Sequence, residues 1–272
     1  MKELIFINIG GAGCKLGTAI WELFLKEHNI KKNGELASPD ALTLGLSSVF
    51  EEKKNPGKNE GSQFVPRAIF SDLDDEFFNW EMRKSNMYSL FNPNNIILGK
   101  ETTGGQFARA YYTIGREIID RVIDKFRKTT EKCDNLDGYV ISHSIGGGTG
   151  SGFSALLLER LSVEFPDATS NASVAIYPSK KFSNSPIELF NFANFLPHLN
   201  DLKPLSLVFD NEALYSICNS FLEIESPSFN NLNALVAEVV SSVTAGYRFE
   251  SAINLTLRDI LDNNSEGKKF LH

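Results

Sequence analysis

The residues best suited to binding chemistry lie in one run, Ser144-Ile145-Gly146-Gly147-Gly148-Thr149-Gly150-Ser151-Gly152. It follows an apolar segment, Gly138-Tyr139-Val140-Ile141, with the character of a buried strand, and residues 153–161 behind it read as a helix. Five glycines within residues 146–152 let the backbone approach a bulky anion closely. The hydroxyls of Ser144, Thr149 and Ser151 offer donors, and the free N–H groups and dipole of the helix start favour negative charge. The spacing predicts a phosphate cradle; the plainer reading is a flexible turn, which rarely needs so many glycines. A second loop, Gly11-Ala12-Gly13-Cys14-Lys15-Leu16-Gly17, also follows a strand and opens a helix. Alone it has the form of a dinucleotide fingerprint. That reading requires a second strand ending in an acid about 20 residues on, and residues 31–40 are instead polar, with a proline and no apolar run. Asp72 and Asp74 end another apolar segment. Acidic residues after a strand commonly just solvate a loop.

Other chemistries find no pattern. There is no G-x-x-x-x-G-K-[ST] loop, Ser151 sits in no G-x-S-x-G elbow, and His28, His143, His198 and His272 are scattered. His143, at a strand end beside the glycine run, reads as a packed structural histidine rather than a base.

The elements that must position these loops alternate between strand and helix. Residues 4–9 form a strand, and an amphipathic stretch follows through Trp21, Leu25 and His28. Residues 31–63 are polar and read as a long mobile loop. Residues 67–73 form the next strand, 111–127 have helical spacing, and a further strand ends at Ser142. Residues 173–178 and 205–210 are short apolar runs, each followed by a helical segment. From Phe229 onward, Leu232, Leu235, Val236, Val239, Val240 and Val243 fall on one helical face. This order predicts an α/β fold: a doubly wound, mostly parallel sheet with helices on both faces and a long helix at its end.

With 272 residues, 42% of them hydrophobic, the chain has ample material for one large core. A net charge of -7 with no basic block argues against a nucleic-acid surface. Three cysteines without Cys-x-x-Cys spacing suggest reduced thiols in a cytosolic setting. No leader is evident before the opening strand and no apolar run approaches a membrane span.

The glycine run resembles the signature loop of tubulins, and the likeness extends from Ile5 to about Leu261. Phe64-Val65-Pro66-Arg67-Ala68-Ile69-Phe70, Tyr112-Thr113-Ile114-Gly115-Arg116-Glu117 and Val208-Phe209-Asp210-Asn211-Glu212-Ala213 carry it, in tubulin order. Leu157-Leu158-Glu159-Arg160-Leu161, Leu222-Glu223-Ile224-Glu225-Ser226-Pro227 and Asp40 are nearer to the alpha type. The resemblance implies a divergent, alpha-like chain with a GTP-binding domain at 1–227 and a central helix at 228–250. Residues 251–272 would then be the start of an intermediate domain, ending in a polar tail unlike the family's, so the chain has the look of a truncated member.

It further implies GTP or GDP with Mg2+, a beta-tubulin-like partner or self-association, a place in microtubules of the cytoplasm, and no role for nucleic acid or membrane. Gly10, Gly11, Ala12 and Cys14 would line the phosphates with backbone N–H groups. Gly11 stands where the family has a glutamine near the metal, and Lys15 replaces another glutamine near the nucleotide. Asp74 matches a family glutamate beside magnesium. Residues Thr102-Thr103-Gly104-Gly105 occupy the loop that senses the γ-phosphate, with Gly104 and Gly105 keeping backbone donors while the alpha-type Asp and Asn at 102 and 105 are lost. Ser144, Gly147, Gly148, Thr149 and Gly150 would hold phosphate, Ser183 would belong to the nucleotide site, and Glu188 would contact the ribose. Asn211 and Asn233 would pair with guanine and ribose, and Phe229 would stack on the base in place of a Tyr. Asp259 occupies the position of the catalytic carboxylate, which acts on the nucleotide of the next subunit, and Thr256 replaces a second acid. The resemblance therefore implies a GTPase active only on head-to-tail assembly; the alternative is a nucleotide-binding interaction protein without turnover.

Overall fold

The computed structural model describes residues 2–38, 45–54, 62–76, 78–83, 87–168, 170–179, 185–202, 204–249 and 255–264. The first strand, β1 (Glu3–Ile9), is buried along its whole length. Its residues alternate between two cores: Leu4 and Phe6 join one, Ile5, Ile7 and Ile9 the other. A strand that is apolar on both faces belongs inside a parallel sheet covered on both sides. Five more strands complete that sheet: β4 (Ala68–Asp72), β5 (Ile96–Leu98), β6 (Leu136–Ser144), β7 (Ala172–Tyr177) and β8 (Leu205–Asp210). Every pairing is parallel and the order is β5-β4-β1-β6-β7-β8.

Helices α1 (Gly10–Glu27), α6 (Asn211–Ser220) and α7 (Phe229–Arg248) supply residues to one core. The other core is closed by α2 (Phe107–Arg109), α3 (Gly115–Thr130), α4 (Ser154–Glu164) and α5 (Ile187–Leu202). A π turn at Ala110–Ile114 joins α2 to α3, and a short helix, α8 (Leu257–Asn264), follows α7. The doubly wound fold expected from the sequence is the one observed.

The segment 31–63 departs from expectation. It holds a 3-10 turn, Leu46–Ser48, and strand β2 (Phe50–Lys54), which pairs antiparallel with β3 (Ser62–Pro66). This ribbon buries Phe50, Phe64 and Val65 while Glu52 and Lys53 stay at least partly exposed, so most of its residues are polar even though it is ordered. Asp40, one mark of the alpha-type resemblance, lies outside the described residues, as do residues 251–254 and the tail from 265. Along α7 the buried stripe is Leu232, Val236, Ala237 and Val240; Leu235 and Val243 are half-buried and Val239 is exposed.

The far ends of α1 and α7 are pinned together by Arg248, whose side chain is fully buried. Its guanidinium pairs with Glu27 and donates to the Ser241 carbonyl at 2.8 Å and hydroxyl at 2.7 Å. It lies over Phe24 with its carbon 4.0 Å from the ring centre, and His28 contacts it through Nε2 at 3.2 Å. Burial, then the Arg248 charge, lowers the His28 pKa to about 4, so this imidazole is neutral at pH 7.

Candidate functional site: a cleft along the C-terminal edge of the sheet

The strand order sets where a ligand can sit. From β1 the chain moves to β4 and β5 on one side, then crosses to β6, β7 and β8 on the other. The C-terminal ends of β1 and β6 flank this switch point, the usual binding crevice of an open α/β sheet. Both glycine loops emerge there. They line a cleft of about 660 Å3, within the range of small-molecule sites.

The cleft brings together residues far apart in sequence. Gly10, Gly11, Ala12 and Lys15 come from the start of α1, and Ser144, Gly147, Gly148, Thr149 and Gly150 from the loop after β6. Asp72, Asp74 and Glu76 follow β4, and Thr102, Thr103 and Gly105 follow β5. Ile176 near the end of β7, Asn211 at the start of α6, and Phe229 and Asn233 in the first turns of α7 complete the wall. Because loops emerge in strand order, the wall has a polarity. Its amide-bearing and aromatic residues gather past β7 and β8, its glycine loops lie in the middle, and its carboxylates and the 102–105 loop lie toward β4 and β5.

The middle is built for close approach. Gly10 takes φ +71, left-handed backbone that glycine alone adopts without strain, and a Cβ there would lie 3.3 Å from Gly150 N. At Gly148 a Cβ would fall 2.6 Å from both Gln106 N and Thr103 Oγ1, so the two loops touch only because this residue lacks a side chain. Helix α1 opens without a side-chain cap or an acid in its first turn, leaving its N–H groups for an anion. Behind the glycine loop a π turn, Thr149–Phe153, leads into α4. His143 holds this loop from beneath: its Nδ1–H donates to the Gly150 carbonyl and its Nε2 accepts from Ser173 Oγ, both at 2.9 Å. Burial lowers its pKa to about 4, so it is the neutral packed histidine expected.

Other residues singled out from the sequence lie off this wall or outside the described residues. Ser151 is fully buried and its hydroxyl donates to the Gly147 carbonyl at 2.6 Å, within the loop rather than toward a ligand. Cys14, in the second turn of α1, is buried with its thiol donating to the Asn8 carbonyl at 3.4 Å, and is off the cleft wall. Gly104 stands one position off the wall; its neighbours Thr103 and Gly105 form it. Glu188 sits in the first turn of α5 beside Gly146, also off the wall. Ser183 lies outside the described residues. Asp259 is exposed on α8, away from the cleft. Its Oδ2 accepts from Thr256 N–H at 2.8 Å and from Thr256 Oγ1 at 2.7 Å, while Thr256 Oγ1 accepts from Asp259 N–H at 3.2 Å. This is a reciprocal cap on α8, and Arg258 faces Asp262 at 3.6 Å.

The structure also adds wall residues that the sequence did not single out: Ile9, Glu76 and Ile176. Glu76 had a weak signal, lying two residues beyond Asp74. Burial, then the nearby Asp74 charge, pushes the Asp72 pKa up to about 7, against a hydrogen bond from Thr149. Among the described residues no group of three or more His, Cys, Asp or Glu side chains could hold a metal alone. Asp72 and Asp74 line one side of the cleft as oxygen donors, the chemistry that a Mg2+ ion shared with phosphate oxygens takes.

Comparison with known proteins agrees with this architecture. Residues 3–219 match the model of the tubulin/FtsZ family, GTPase domain. The chain belongs to the tubulin/FtsZ family. Within that family it is similar to alpha-tubulins. It is 42% identical over 267 residues to the tubulin alpha-3 chain of Saccharomyces cerevisiae, covering 97% of this chain and 58% of that one. It is 42% identical over 264 residues to the tubulin alpha-8 chain of Caenorhabditis elegans, and 38% identical over 269 residues to the tubulin alpha chain of Dictyostelium discoideum. These matches cover 96% of this tubulin-family chain in both cases, and 57% and 58% of the two relatives. The chain thus spans somewhat more than half the length of the relatives it matches. Among the described residues no helix is long and apolar enough to cross a membrane.

Proposed function

We propose that this chain binds GTP or GDP in the cleft along its sheet edge, as an alpha-tubulin-like subunit. The observation that carries the proposal is the convergence of both glycine loops with Asn211, Asn233 and Phe229 in one cleft. Phe229 is 61% exposed, leaving a ring face free for a base, and Asn233 offers an amide able to meet both the carbonyl and the ring N–H of guanine. The backbone N–H groups of the glycine loops take the phosphates, with Lys15 adding positive charge. Mg2+, held by Asp74 with Asp72 beside it, neutralises phosphate charge when bound. In this reading residues 1–227 are the nucleotide domain, 228–250 the central helix, and 251–272 the beginning of an intermediate domain.

We further propose that the subunit meets a beta-tubulin-like partner head to tail, as part of cytoplasmic microtubules, and that Asp259 orients water toward the partner's nucleotide. Asp259 is exposed on α8 and so available to a second molecule. Its hydrogen bonds to Thr256 keep its carboxyl below the usual carboxylate range, hence ionised at pH 7. A second reading, binding without turnover, is favoured by the phosphate-sensing loop. Gly105 has no side chain, and Thr102 Oγ1 accepts from Gly104 N–H at 3.3 Å within its own loop.

The test is to denature the purified protein and identify the nucleotide released. GTP in near one-to-one amount supports the pocket with hydrolysis waiting on a partner. GDP calls for a labelled-GTP time course with beta-tubulin to separate turnover from capture. Protein that is empty and fails to bind added GTP removes the proposal.

A further inference from the structure

Asn191 lies on α5, almost fully buried, and takes no part in the cleft wall. Its amide nevertheless makes three hydrogen bonds, all to the backbone of the two loops that do. Nδ2 donates to the Gly105 carbonyl at 2.7 Å and to the Gly146 carbonyl at 2.7 Å. Oδ1 accepts from the Phe107 N–H at 2.9 Å. Both donors of the amide are used, and each bond fixes the position of a loop rather than the identity of its side chains. The two loops already meet where Gly148 approaches Gln106 and Thr103. The start of α5 has little else apolar to anchor it, since Ile187, Leu189 and Phe190 are all exposed.

The sheet order says what the linkage does. Loop 102–107 follows β5, at the end of the cleft farthest from Asn211 and Phe229, while loop 144–150 follows β6 at its centre. A nucleotide with its base beside Phe229 extends its phosphates toward β4 and β5, so the outermost phosphate reaches loop 102–107 last. We propose that Asn191 is a positioning residue that fastens loop 102–107 to the glycine loop, so that a third phosphate is gripped by both at once. A diphosphate, held by the central loops, depends on this fastening much less. The ligand in this proposal rests on the guanine-nucleotide reading above; the linkage between the loops does not.

The test compares the wild-type chain with Asn191→Ala and with Asn191→Asp, which keeps the volume and the acceptor for Phe107 N–H but loses donors to the two carbonyls. Two quantities are read. The first is binding of GDP and of the β,γ-imido analogue of GTP, both with Mg2+, by calorimetry. The second is backbone hydrogen exchange of the ligand-free protein. In the variants the analogue should weaken by about tenfold relative to GDP, the scale of a buried polar group left without its partner. Exchange should rise in 103–107 and 145–150 together while β6 and α4 keep their protection. Equal weakening of both nucleotides, or exchange that rises in neither loop or in one alone, overturns the proposal. Wild-type protein that binds neither nucleotide defeats the guanine reading instead, and the linkage then stands or falls on the exchange result.

Discussion

Replacing Arg248 with methionine tests how the far ends of α1 and α7 are held. The substitution keeps most of the side-chain volume, so the loss is electrostatic rather than a cavity. Removing one partner of a buried ion pair costs about 3–5 kcal/mol, mostly because the other charge is left unpaired. Glu27 retains 26% of its side-chain exposure, so water recovers part of that cost and the low end applies. The cation lying over Phe24 adds about 0.5–2 kcal/mol. The expected loss is therefore about 3.5–5 kcal/mol, or roughly 10–15 °C in melting temperature for a chain of this size. Urea unfolding monitored by Trp fluorescence and circular dichroism reads it directly. If stranding of the Glu27 carboxylate is the main cost, Arg248→Met combined with Glu27→Gln should lose at least about 1 kcal/mol less than the sum of the single changes. A single-variant loss under about 1 kcal/mol, or strict additivity in the double variant, refutes this account of the pin.

Gly11→Gln should fold normally, because the nearest atom to an added Cβ is Asp72 Oδ2 at 3.9 Å, and it should strengthen the Mg2+ dependence of nucleotide binding; titration with and without Mg2+ measures it. Gly13→Ala, by contrast, puts a Cβ 2.2 Å from the Ser142 carbonyl oxygen and should fail to give soluble, folded protein. Asp72 has a folded pKa raised from 3.8 to about 7, so the ligand-free fold binds the proton more tightly than the unfolded chain. Stability from this group is full below about pH 4 and declines as pH rises toward 7. Asp72→Asn should match wild type in unfolding experiments near pH 4 and exceed it at pH 8; a constant difference across that range counts against the shift. Asp259→Ala should speed amide exchange in the first turn of α8 through loss of the Thr256 cap, and should abolish nucleotide turnover in mixtures with beta-tubulin. Turnover unchanged by the substitution removes Asp259 from the chemistry.

The strands and both glycine loops were legible because their signals are local. An apolar run of five or six residues ending in glycines needs no knowledge of the rest of the chain. The β2–β3 ribbon was not, since a two-stranded element buries little and its outward residues Glu52 and Lys53 give the segment the composition of a loop. Ser151 looked like a donor to a ligand until the π turn at Thr149–Phe153 aimed its hydroxyl back at Gly147. Asn191 offered no signal at all: an asparagine within a helical run reads as a solvated residue, and only the fold brings Gly105 and Gly146 within reach of one amide. Asn211, Phe229 and Asn233 were individually unremarkable polar or apolar positions, and their convergence depends on where β8 ends and α7 begins.

Helices α1 and α7 both begin at the cleft and are joined at the opposite end through Glu27 and Arg248, so a rigid tilt of α7 has its fixed point there. With 20 residues, α7 is about 30 Å long. A displacement of about 1 Å where Phe229 and Asn233 meet a ligand therefore amounts to a swing of only about 2°, too little to break the hydrogen bonds at Arg248. Motion dies away toward that point, and a body resting midway along the helix, against Leu235 and Val239, feels about half of it. A ligand that shifted Phe229 and Asn233 would thus be felt on the outer face of α7 as a small graded tilt, strongest near the ligand and smallest at Arg248.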